Sequence, residues 1–341
     1  MPGRPTASVI LVNYNGLRYL DPCLEALRGQ DVDGGFDVTL VDNASTDGSV
    51  EHLRRHHRWV RLITSSRNLG FAPATDLALR SVAGEHLVLL NNDTEVRPGW
   101  LAALVEAAER DPQAGAVTSK LVFGDRPDVI QNAGGLLLSD GSGGDRGTGE
   151  PDQGQFDAAE EVFGACGAAM LLRRGALDDA GALDPSYFMY YEDTDLSWRL
   201  RLLGWRVVYE PRAVVEHSHS GTSGEWSDFF LFHVDRNRLF TVLKNAPATM
   251  VASSFGSLGL RAGRNALRVR DSSRAPTGQP VSEKDVRRAA QHRRVLQSFS
   301  AHLPEMLAKR RQVRGRKRVH DRDVLRWMVP REEWDARFAS A

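Results

Sequence analysis

The sequence has little of what would mark a secreted, membrane-spanning or disordered protein. Only two cysteines, Cys23 and Cys166, occur in 341 residues, which is too few to cross-link so long a chain, and a cytoplasmic location is expected. No run of about 18 apolar residues is present, so no transmembrane helix is predicted, and residues 1–7 lack the apolar core of a signal peptide. Hydrophobic residues make up 41% and charged residues 26%, which excludes a disordered or collagen-like chain and indicates one large or two small globular domains.

A net charge is also absent, because 44 Lys and Arg balance 44 Asp and Glu. The balance is uneven along the chain. Residues 260–341 carry 21 basic against 9 acidic side chains, which leaves 23 against 35 in residues 1–259. Blocks of opposite charge indicate parts with different partners, or else a basic tail that packs on an acidic body. Since the protein is not uniformly basic, no nucleic-acid partner is expected.

Short apolar segments alternate with helical patterns over the first 120 residues. This alternation predicts a mainly parallel sheet with helices on both faces, and such sheets bind ligands at the carboxyl ends of their strands. The predicted strands are Ser8–Val12, Asp37–Val41, Val60–Ile63 and His86–Leu90, and the predicted helices are Leu17–Arg28, Ser49–His57, Pro73–Val82 and Pro98–Arg110.

The alternation ends after Lys120. The segment from Gly134 to Gly154 is rich in Gly, Ser and Asp and is expected to be a long mobile loop. Strand patterns return at Ala168–Leu172 and Arg206–Tyr209, and helices are predicted at Thr194–Leu203 and Ser227–Lys244.

Two domains follow from these patterns. Residues 1–245 are expected to form the main domain, with one half at about 1–120 and another at about 121–245. Residues 246–341 are expected to form a basic, helical C-terminal region that contains a linker at about 271–281.

Polar clusters follow four successive predicted strands, which places them along one edge of the sheet and predicts a binding crevice. Asp42 could accept the imide N–H of uracil or thymine, the backbone at Gly70 beside Arg67 could approach a phosphate, and Asp93 could hold a divalent cation. No Walker loop or Gly-x-Gly-x-x-Gly turn is present, which argues against a nucleotide hydrolase or dehydrogenase. The four clusters are Asn13–Gly16, Asp42–Ser45, Asn68–Phe71 and Asn91–Asp93.

Five segments together resemble family-2 glycosyltransferases of the GT-A fold. They lie within residues 8–245, and their wording is similar to the rhamnosyltransferase-type branch that builds bacterial surface glycans. The resemblance implies an α/β, Rossmann-like GT-A domain with a mainly parallel sheet covered by helices, followed here by the basic helical extension. The segments are Ser8–Asn15, Val41–Gly48, Asn68–Phe71, Leu90–Asp93 and Tyr191–Arg199.

The resemblance also implies roles for individual residues. Asp193 is expected to be the general base, with Glu192 as the second choice. Asp93 corresponds to the last carboxylate of the family's metal-binding Asp-x-Asp motif, whose first position is Asn91 here, and His217 is expected to join it on Mn²⁺ or Mg²⁺. The nucleotide is expected to contact Asn13, Asn15, Asp42, Asn43, Arg67, Asn68, Gly70 and Asn92, and Arg236 and Arg238 are expected either to reach the diphosphate or to lie on a solvated or acid-paired helix face.

The implied function is inverting transfer of a sugar, with rhamnose as one candidate, from a dTDP- or UDP-sugar to a hydroxyl of a glycan or lipid-linked saccharide. Three alternatives remain: glycosylation of a small-molecule natural product, a nucleotidyltransferase, and a non-catalytic scaffold bound to a membrane. The basic runs Lys309–Arg311 and Arg314–Arg318 favour attraction to an anionic membrane surface. A cytoplasmic protein, peripheral on the inner face of the plasma membrane, is therefore expected.

Overall fold

A computed structural model describes residues 5–218, 227–256 and 283–338. Thirteen strands occur in this part of the chain, and most of them belong to one mixed sheet. They are β1 (Ala7–Asn13), β2 (Phe36–Asp42), β3 (Arg61–Thr64), β4 (His86–Leu90), β5 (Thr94–Val96), β6 (Ala114–Phe123), β7 (Arg126–Asn132), β8 (Gly135–Leu138), β9 (Gly143–Asp145), β10 (Glu160–Glu161), β11 (Ala169–Arg173), β12 (Arg206–His217) and β13 (Met328–Val329).

Helices cover the sheet and continue beyond it. The helices of the first 245 residues are α1 (Leu17–Arg28), α2 (Ser49–His56), α3 (Phe71–Leu79), α4 (Trp100–Arg110), α5 (Arg174–Ala180), α6 (Glu192–Leu202) and α7 (Asp228–Asn245), with a 3₁₀ turn at Pro185–Tyr187. Residues 248–256 are helical. The C-terminal part contains a long helix (Glu283–Arg316), a short helix (Asp321–Leu325) and a last helix (Arg331–Phe338).

The large sheet has the strand order β10-β12-β6-β11-β4-β1-β2-β3. Strands β3, β2, β1 and β4 run parallel, β11 is antiparallel to both of its neighbours β4 and β6, and β12 is parallel to β6. The carboxyl ends of β1, β2, β3 and β4 therefore lie along one edge, where a doubly wound sheet binds its ligands.

Alternation along the central strands explains why both faces of the sheet are covered. Val9 and Leu11 of β1 pack into one apolar core with α1 and α4, whereas Ile10 points to a second core with α3, α5 and α6. Val88 and Leu89 of β4 divide between the two cores in the same way. Full burial of each such side chain contributes roughly 1.5–3 kcal/mol relative to exposure, so the apolar strand segments drive this three-layer arrangement.

The four predicted strands and four predicted helices of the first 120 residues are present, and α1 and β4 begin and end at the predicted residues. Strands β5 and β6 were not predicted. The prediction of a long loop from Gly134 to Gly154 was wrong, because the segment contains β8 and β9. The two strands form a hairpin, and β13 adds to it as a third strand. Composition suggested a loop because glycine weakens a strand locally, whereas this hairpin is held by a partner strand 191 residues away.

The long C-terminal helix packs against α7. Val295, Phe299 and Met306 of the long helix are buried with Leu239 and Phe240 of α7 in a separate apolar cluster. The basic tail therefore contacts the body of the protein. The predicted linker at 271–281 lies outside the described residues, and within the described ranges no helix is both long and apolar enough to cross a membrane.

Candidate active site

Asn13 joins three of the polar clusters at the carboxyl ends of the strands. Its amide nitrogen donates to Asp42 Oδ2 at 3.0 Å, and its amide oxygen accepts from Asn92 Nδ2 at 2.7 Å. Gly16 permits this contact, because a Cβ at that position would lie 2.2 Å from Asn92 Nδ2. The ends of β1, β2 and β4 are thus held together by side-chain hydrogen bonds, and the structure brings these predicted residues into one cluster.

Asp42 is buried, with 1% of its surface exposed. Its second oxygen accepts from the backbone N–H of Ser45 at 3.0 Å, and the Ser45 hydroxyl accepts from the backbone N–H of Asn15 at 2.9 Å. Thr46 N–H in turn donates to Asn15 Oδ1 at 2.8 Å. The carboxylate therefore organises two loops. Each oxygen of Asp42 keeps one lone pair beyond these bonds, which can accept a hydrogen bond from a nucleobase.

The turn after β3 is tied to the same edge. Asn43 Nδ2 donates to Asn68 Oδ1 at 2.9 Å, and Asn43 Oδ1 accepts from Leu69 N–H at 2.8 Å. Gly70 has φ of +88°, and a Cβ there would lie 2.6 Å from the carbonyl oxygen of Phe188. This glycine lets the turn approach residue 188. Arg67 lies in the same turn with its side chain exposed to solvent.

Asp93 and His217 form a pair at the other side of the crevice. His217 Nε2 lies 3.2 Å from Asp93 Oδ1, and both side chains are about nine-tenths buried. His217 Nδ1 lies 2.8 Å from Gln131 Oε1. An amide oxygen only accepts, so Nδ1 carries the proton and Nε2 offers its lone pair towards Asp93 when the ring is neutral. An imidazole lone pair facing a carboxylate, with the far nitrogen bonded to a fixed partner, is the donor set expected around a divalent cation.

The structure corrects the expected position of His217. Sequence patterns predicted a strand that ends at Tyr209, which left His217 outside it. Instead, β12 continues to His217 and pairs with β5 and β6 there. The histidine is therefore held on a strand that crosses the sheet beside Asp93.

Asp193 lies in the first turn of α6. Its Oδ2 accepts from Gly167 N–H at 2.9 Å and its Oδ1 from Thr194 N–H at 2.6 Å. Desolvation raises the pKa of Asp193, although these hydrogen bonds oppose the shift. Gly167 precedes β11, and the adjacent Ala168 carbonyl bonds to Asn91 N–H. Asp193 is therefore anchored next to the end of β4.

Glu192 differs from its neighbour in its surroundings. The residue is buried, and its Oε2 has no hydrogen-bond partner. Desolvation, reinforced by the negative charge of Asp193, raises the pKa of Glu192 to about 8. The pKa of Asp193 is also raised, but hydrogen bonds from Gly167 and Thr194 oppose that shift, whereas no hydrogen bond reaches Glu192 Oε2.

Asp145 is a site residue that the sequence patterns did not identify, because it lies in the segment predicted to be a loop. It ends β9 and accepts from Asn132 Nδ2. The residue as a whole is exposed, but neighbouring groups desolvate its carboxyl. This desolvation, together with the negative charge of Asp193, raises the pKa of Asp145 to about 6, whereas the hydrogen bond from Asn132 and the nearby His217 oppose the shift. Asp145 thus lies within electrostatic reach of both Asp193 and His217 and connects the two parts of the site.

The comparison with known proteins agrees with the arrangement of these side chains. A family model described as glycosyl transferase family 2 matches residues 8–181, more than half of the chain. This chain belongs to glycosyl transferase family 2. The matched segment contains Asp42, Asp93 and Asp145, and α6 lies beyond it.

Three relatives illustrate the glycosyltransferase's similarities. It is 30% identical over 237 residues to the N-acetylglucosaminyl-diphospho-decaprenol L-rhamnosyltransferase of Mycobacterium tuberculosis, covering 63% of this chain and 77% of the relative. It is 29% identical over 231 residues to the O-antigen biosynthesis protein RfbC of Myxococcus xanthus, covering 64% and 18% of the two chains. It is 28% identical over 221 residues to the pre-mycofactocin glycosyltransferase of M. tuberculosis, covering 63% and 42%.

Two solved structures share the GT-A fold of this glycosyltransferase. A mannosyltransferase from Pyrobaculum calidifontis, solved with GDP-Man and Mn²⁺, superimposes with a TM-score of 0.51 at 17% identity, over 88% of this chain and 87% of that one. GalNAc-T7, solved with UDP, GalNAc and Mn²⁺, gives a TM-score of 0.58 at 15% identity, over 89% and 58%.

The contacts of Arg236 differ from those expected for a diphosphate ligand. The Arg236 guanidinium of this glycosyltransferase is buried and donates to the carbonyl oxygens of Ser186 and Tyr187 at 3.2 and 3.0 Å. Arg238 donates to the carbonyl oxygen of Asp140 at 3.0 Å. The solvated face that was the alternative does not apply to the buried Arg236, whereas Arg238 is partly exposed and its charge lowers the pKa of Asp140, which agrees with the acid-paired alternative. Both hold loop backbone on the approach to the site.

The turn before α6 is strained and clamped. Phe188, Tyr190 and Tyr191 all have positive φ, at 64°, 69° and 70°, a conformation that costs roughly 1–3 kcal/mol per residue. Asn237 of α7 is fully buried, and its Nδ2 lies 2.8–2.9 Å from the carbonyl oxygens of Tyr187, Met189 and Tyr190. The sequence gives no local signal for this clamp, which determines where α6 and its carboxylates begin.

The hairpin that carries Asp145 is supported from behind by the C-terminal segment of the glycosyltransferase. A Cβ at Gly143 would lie 3.2 Å from Thr194 Oγ1 of α6, whereas a Cβ at Gly144 would lie 3.2 Å from the ring of Trp334. Neighbouring strand residues point to opposite faces. Trp334 therefore packs on the back of β9, and Asp145 faces the site.

Proposed function

We propose that this glycosyltransferase moves a sugar, with rhamnose as the first candidate, from a dTDP- or UDP-sugar to a hydroxyl of a glycan or lipid-linked saccharide, with inversion, during synthesis of a bacterial surface polysaccharide. The observation that carries the proposal is the position of Asp193, which is anchored by Gly167 next to the end of β4, the strand that leads to Asp93 and its partner His217. Proton acceptance and diphosphate binding would thereby take place in one cleft.

Asp193 acts as the general base in this proposal. The acceptor hydroxyl loses its proton to the Asp193 carboxylate while its oxygen forms a bond to the anomeric carbon, and the bond from that carbon to the diphosphate oxygen breaks. The electron pair leaves with the nucleoside diphosphate. The hydrogen bonds from Gly167 and Thr194 fix the carboxylate, so little reorganisation is needed when the proton arrives.

Asp93 and His217 would hold a Mn²⁺ or Mg²⁺ ion, and the ion would neutralise charge on the departing diphosphate. Gln131 supports this assignment because it fixes the tautomer in which His217 Nε2 is a lone-pair donor. The structural neighbours solved with Mn²⁺ share only the fold. The assignment therefore rests on the chemistry of the two side chains.

The nucleotide would lie along the edge formed by Asn13, Asp42, Asn43 and Asn92. Asp42 orients the loop at Ser45, and its remaining lone pairs would accept the imide N–H that uracil and thymine share. Asn15, Arg67, Asn68 and Gly70 line the adjoining turns that would meet the ribose and phosphates. The choice of rhamnose as the first candidate sugar is supported by the name of the mycobacterial relative, an L-rhamnosyltransferase.

The acceptor would approach past Asp145 and the hairpin β8–β9. The same relative's name supports a lipid-linked saccharide. The structure supports attraction of the tail to an anionic membrane less than the sequence does. Six of the seven basic residues in the runs 309–311 and 314–318 contact other groups of the protein. Arg311 is exposed on the same helix, and peripheral binding at the inner membrane face would use this side chain.

A small-molecule acceptor is the second candidate, and the similarity to a pre-mycofactocin glycosyltransferase favours it. Membership of glycosyl transferase family 2 argues against a nucleotidyltransferase and against a non-catalytic scaffold.

The decisive experiment measures transfer with purified enzyme, Mn²⁺ and a panel of dTDP-, UDP- and GDP-sugars, with polyprenyl-diphosphate saccharides and free glycans as acceptors. We expect turnover with dTDP-rhamnose and a lipid-linked acceptor. Asp193→Asn should reduce transfer by about 10²–10⁴-fold and leave the dTDP dissociation constant within about threefold, and Glu332→Gln on the exposed last helix serves as the matched control. Wild-type transfer by Asp193→Asn, or turnover restricted to GDP-sugars, would contradict the proposal.

A further inference from the structure

A second group of metal-ligating side chains lies where α1 meets the end of α2, apart from the catalytic crevice. Asp21 belongs to α1, His52 to α2, and His57 directly follows α2. His52 Nε2 lies 2.6 Å and His57 Nε2 lies 2.7 Å from the same oxygen, Asp21 Oδ1. One ligand atom from each of the three residues falls within 4.8 Å of the other two.

Convergence on one oxygen is the informative feature of this cluster. A carboxylate that only bridged two imidazole donors could offer one oxygen to each, whereas here both rings point at a single atom. Imidazole nitrogen and carboxylate oxygen are also the ligands that Zn²⁺ and related divalent ions take in proteins. Each nitrogen would need to move only about 0.7 Å away from Asp21 Oδ1 to reach the ligand spacing around a tetrahedral ion with bonds of about 2.0–2.1 Å.

Burial distinguishes the three ligands. The His57 side chain is 4% exposed, His52 is 24% exposed and Asp21 is 59% exposed. His57 Nδ1 is buried without a hydrogen-bond partner, so Nε2, which faces Asp21, makes the one polar side-chain contact of this ring in the part of the chain that the structure describes. The exposed carboxylate leaves space on the solvent side for water as a further ligand.

We propose that Asp21, His52 and His57 form a binding site for a divalent transition-metal ion of the Zn²⁺ class, which cross-links α1 to the end of α2. The helices begin at Leu17 and Ser49, immediately after the two loops that carry Asn13 and Asp42. The ion is structural: it joins the first half of α1, through Asp21, to α2 and the residue that follows it, and takes no part in the reaction. The competing explanation is that the two imidazoles simply donate protons to Asp21.

Isothermal titration of the full-length protein with ZnSO₄, after removal of bound metal by a chelator, tests the proposal. The background is Asp93→Asn, which weakens the catalytic site. We expect one equivalent of Zn²⁺ to bind and the midpoint of thermal unfolding to rise. Asp21→Asn and His52→Ala should each weaken binding at least about tenfold, because loss even of an outer-shell partner costs about 10–100-fold. The matched control is His56→Ala, an exposed histidine of the same helix outside the three ligands.

His52→Ala keeps the test valid if substitution of the buried His57 prevents folding. With Co²⁺ in place of Zn²⁺, the visible spectrum should show the bands of a nitrogen- and oxygen-ligated ion, and these should disappear in His52→Ala. The proposal is overturned if the protein binds no Zn²⁺, or if Asp21→Asn and His52→Ala bind it as tightly as the control. Sugar transfer does not enter either measurement, so the outcome is independent of the proposed activity.

Discussion

Lys309 Nζ, on the long C-terminal helix, lies 2.6 Å from Asp184 Oδ1, in the loop before α6. The other oxygen of Asp184 lies 2.7 Å from Lys244 Nζ, which is 2.8 Å from Asp195 Oδ2. Asp184, Lys244 and Asp195 are all more than nine-tenths buried. An unbroken row of alternating charges therefore connects the C-terminal helix to the helix that carries Asp193.

Removal of one charge from this row should destabilise the protein. We expect Lys309→Met to lower the free energy of unfolding by about 1–3 kcal/mol, because it leaves part of the buried charge of Asp184 uncompensated. Urea denaturation at pH 7 measures the change. Arg311→Met, an exposed position on the same helix, is the control and should alter stability by less than about 0.5 kcal/mol.

The same pair predicts the response to acid. Burial alone would raise the pKa of Asp184, but Lys244 and Lys309 hold it well below its ordinary value. A lowered pKa contributes stability at pH values above the ordinary value of 3.8, and this contribution is lost as the pH falls through the native value. Lys309→Met should therefore lose less stability on acidification than the wild type. Equal losses would argue against the ion pair.

Glu192 predicts a pH dependence of the opposite sign. Its pKa is raised to about 8 in the native state, from an ordinary value of 4.5. The native state holds the proton more tightly than the unfolded state, so stability falls as the pH rises between these two values. We expect Glu192→Gln, which cannot ionise, to show a smaller loss of unfolding free energy between pH 5 and pH 9, as measured by urea denaturation. Parallel curves for the two proteins would mean that Glu192 is ionised in the fold at neutral pH.

Gln131 should act on metal affinity without touching substrate. Gln131→Leu removes the acceptor that fixes the Nδ1–H tautomer of His217, and loss of such a partner weakens metal binding by about 10–100-fold. The concentration of Mn²⁺ that gives half-maximal transfer should rise accordingly, and excess Mn²⁺ should restore most of the rate. Asn132→Ala, which removes the donor to Asp145 instead, is the comparison and should leave the Mn²⁺ requirement near that of the wild type. An unchanged requirement in Gln131→Leu would exclude His217 as a ligand.

Trp334 should influence the acceptor side of the reaction from behind the hairpin. Its ring packs on Gly144, and Arg331 at the start of the last helix contacts Asp140 and Ser142 of the same hairpin. We expect Trp334→Ala to raise the KM for the acceptor several-fold and to leave the KM for the donor and its slow hydrolysis unchanged. Glu333→Ala, exposed on the same helix, should match the wild type. A rise in both KM values would indicate general loosening of the fold.

Tyr191 and Gly143 illustrate why part of the site was not predictable. The Tyr191 hydroxyl accepts from Gly143 N–H at 3.2 Å, and this bond joins the strained turn before α6 to a hairpin whose sequence resembles a loop. Neither residue has a local pattern that points to the other. Asp145 was missed for the same reason, since its importance comes from the residues that face it across the cleft.

The sequence by itself determined strands β1 to β4 and helices α1 to α4. It also determined the placement of Asn13, Asp42, Asn68 and Asp93 at one edge of the sheet, because apolar periodicity and parallel topology are local consequences of residue order. Only the tertiary structure decided that Asp145 faces Asp193, that Asn237 clamps the turn before α6, and that the basic tail is paired with the body. These contacts join residues that are at least 47 positions apart. Such contacts depend on how packed elements meet, and composition and periodicity do not record that.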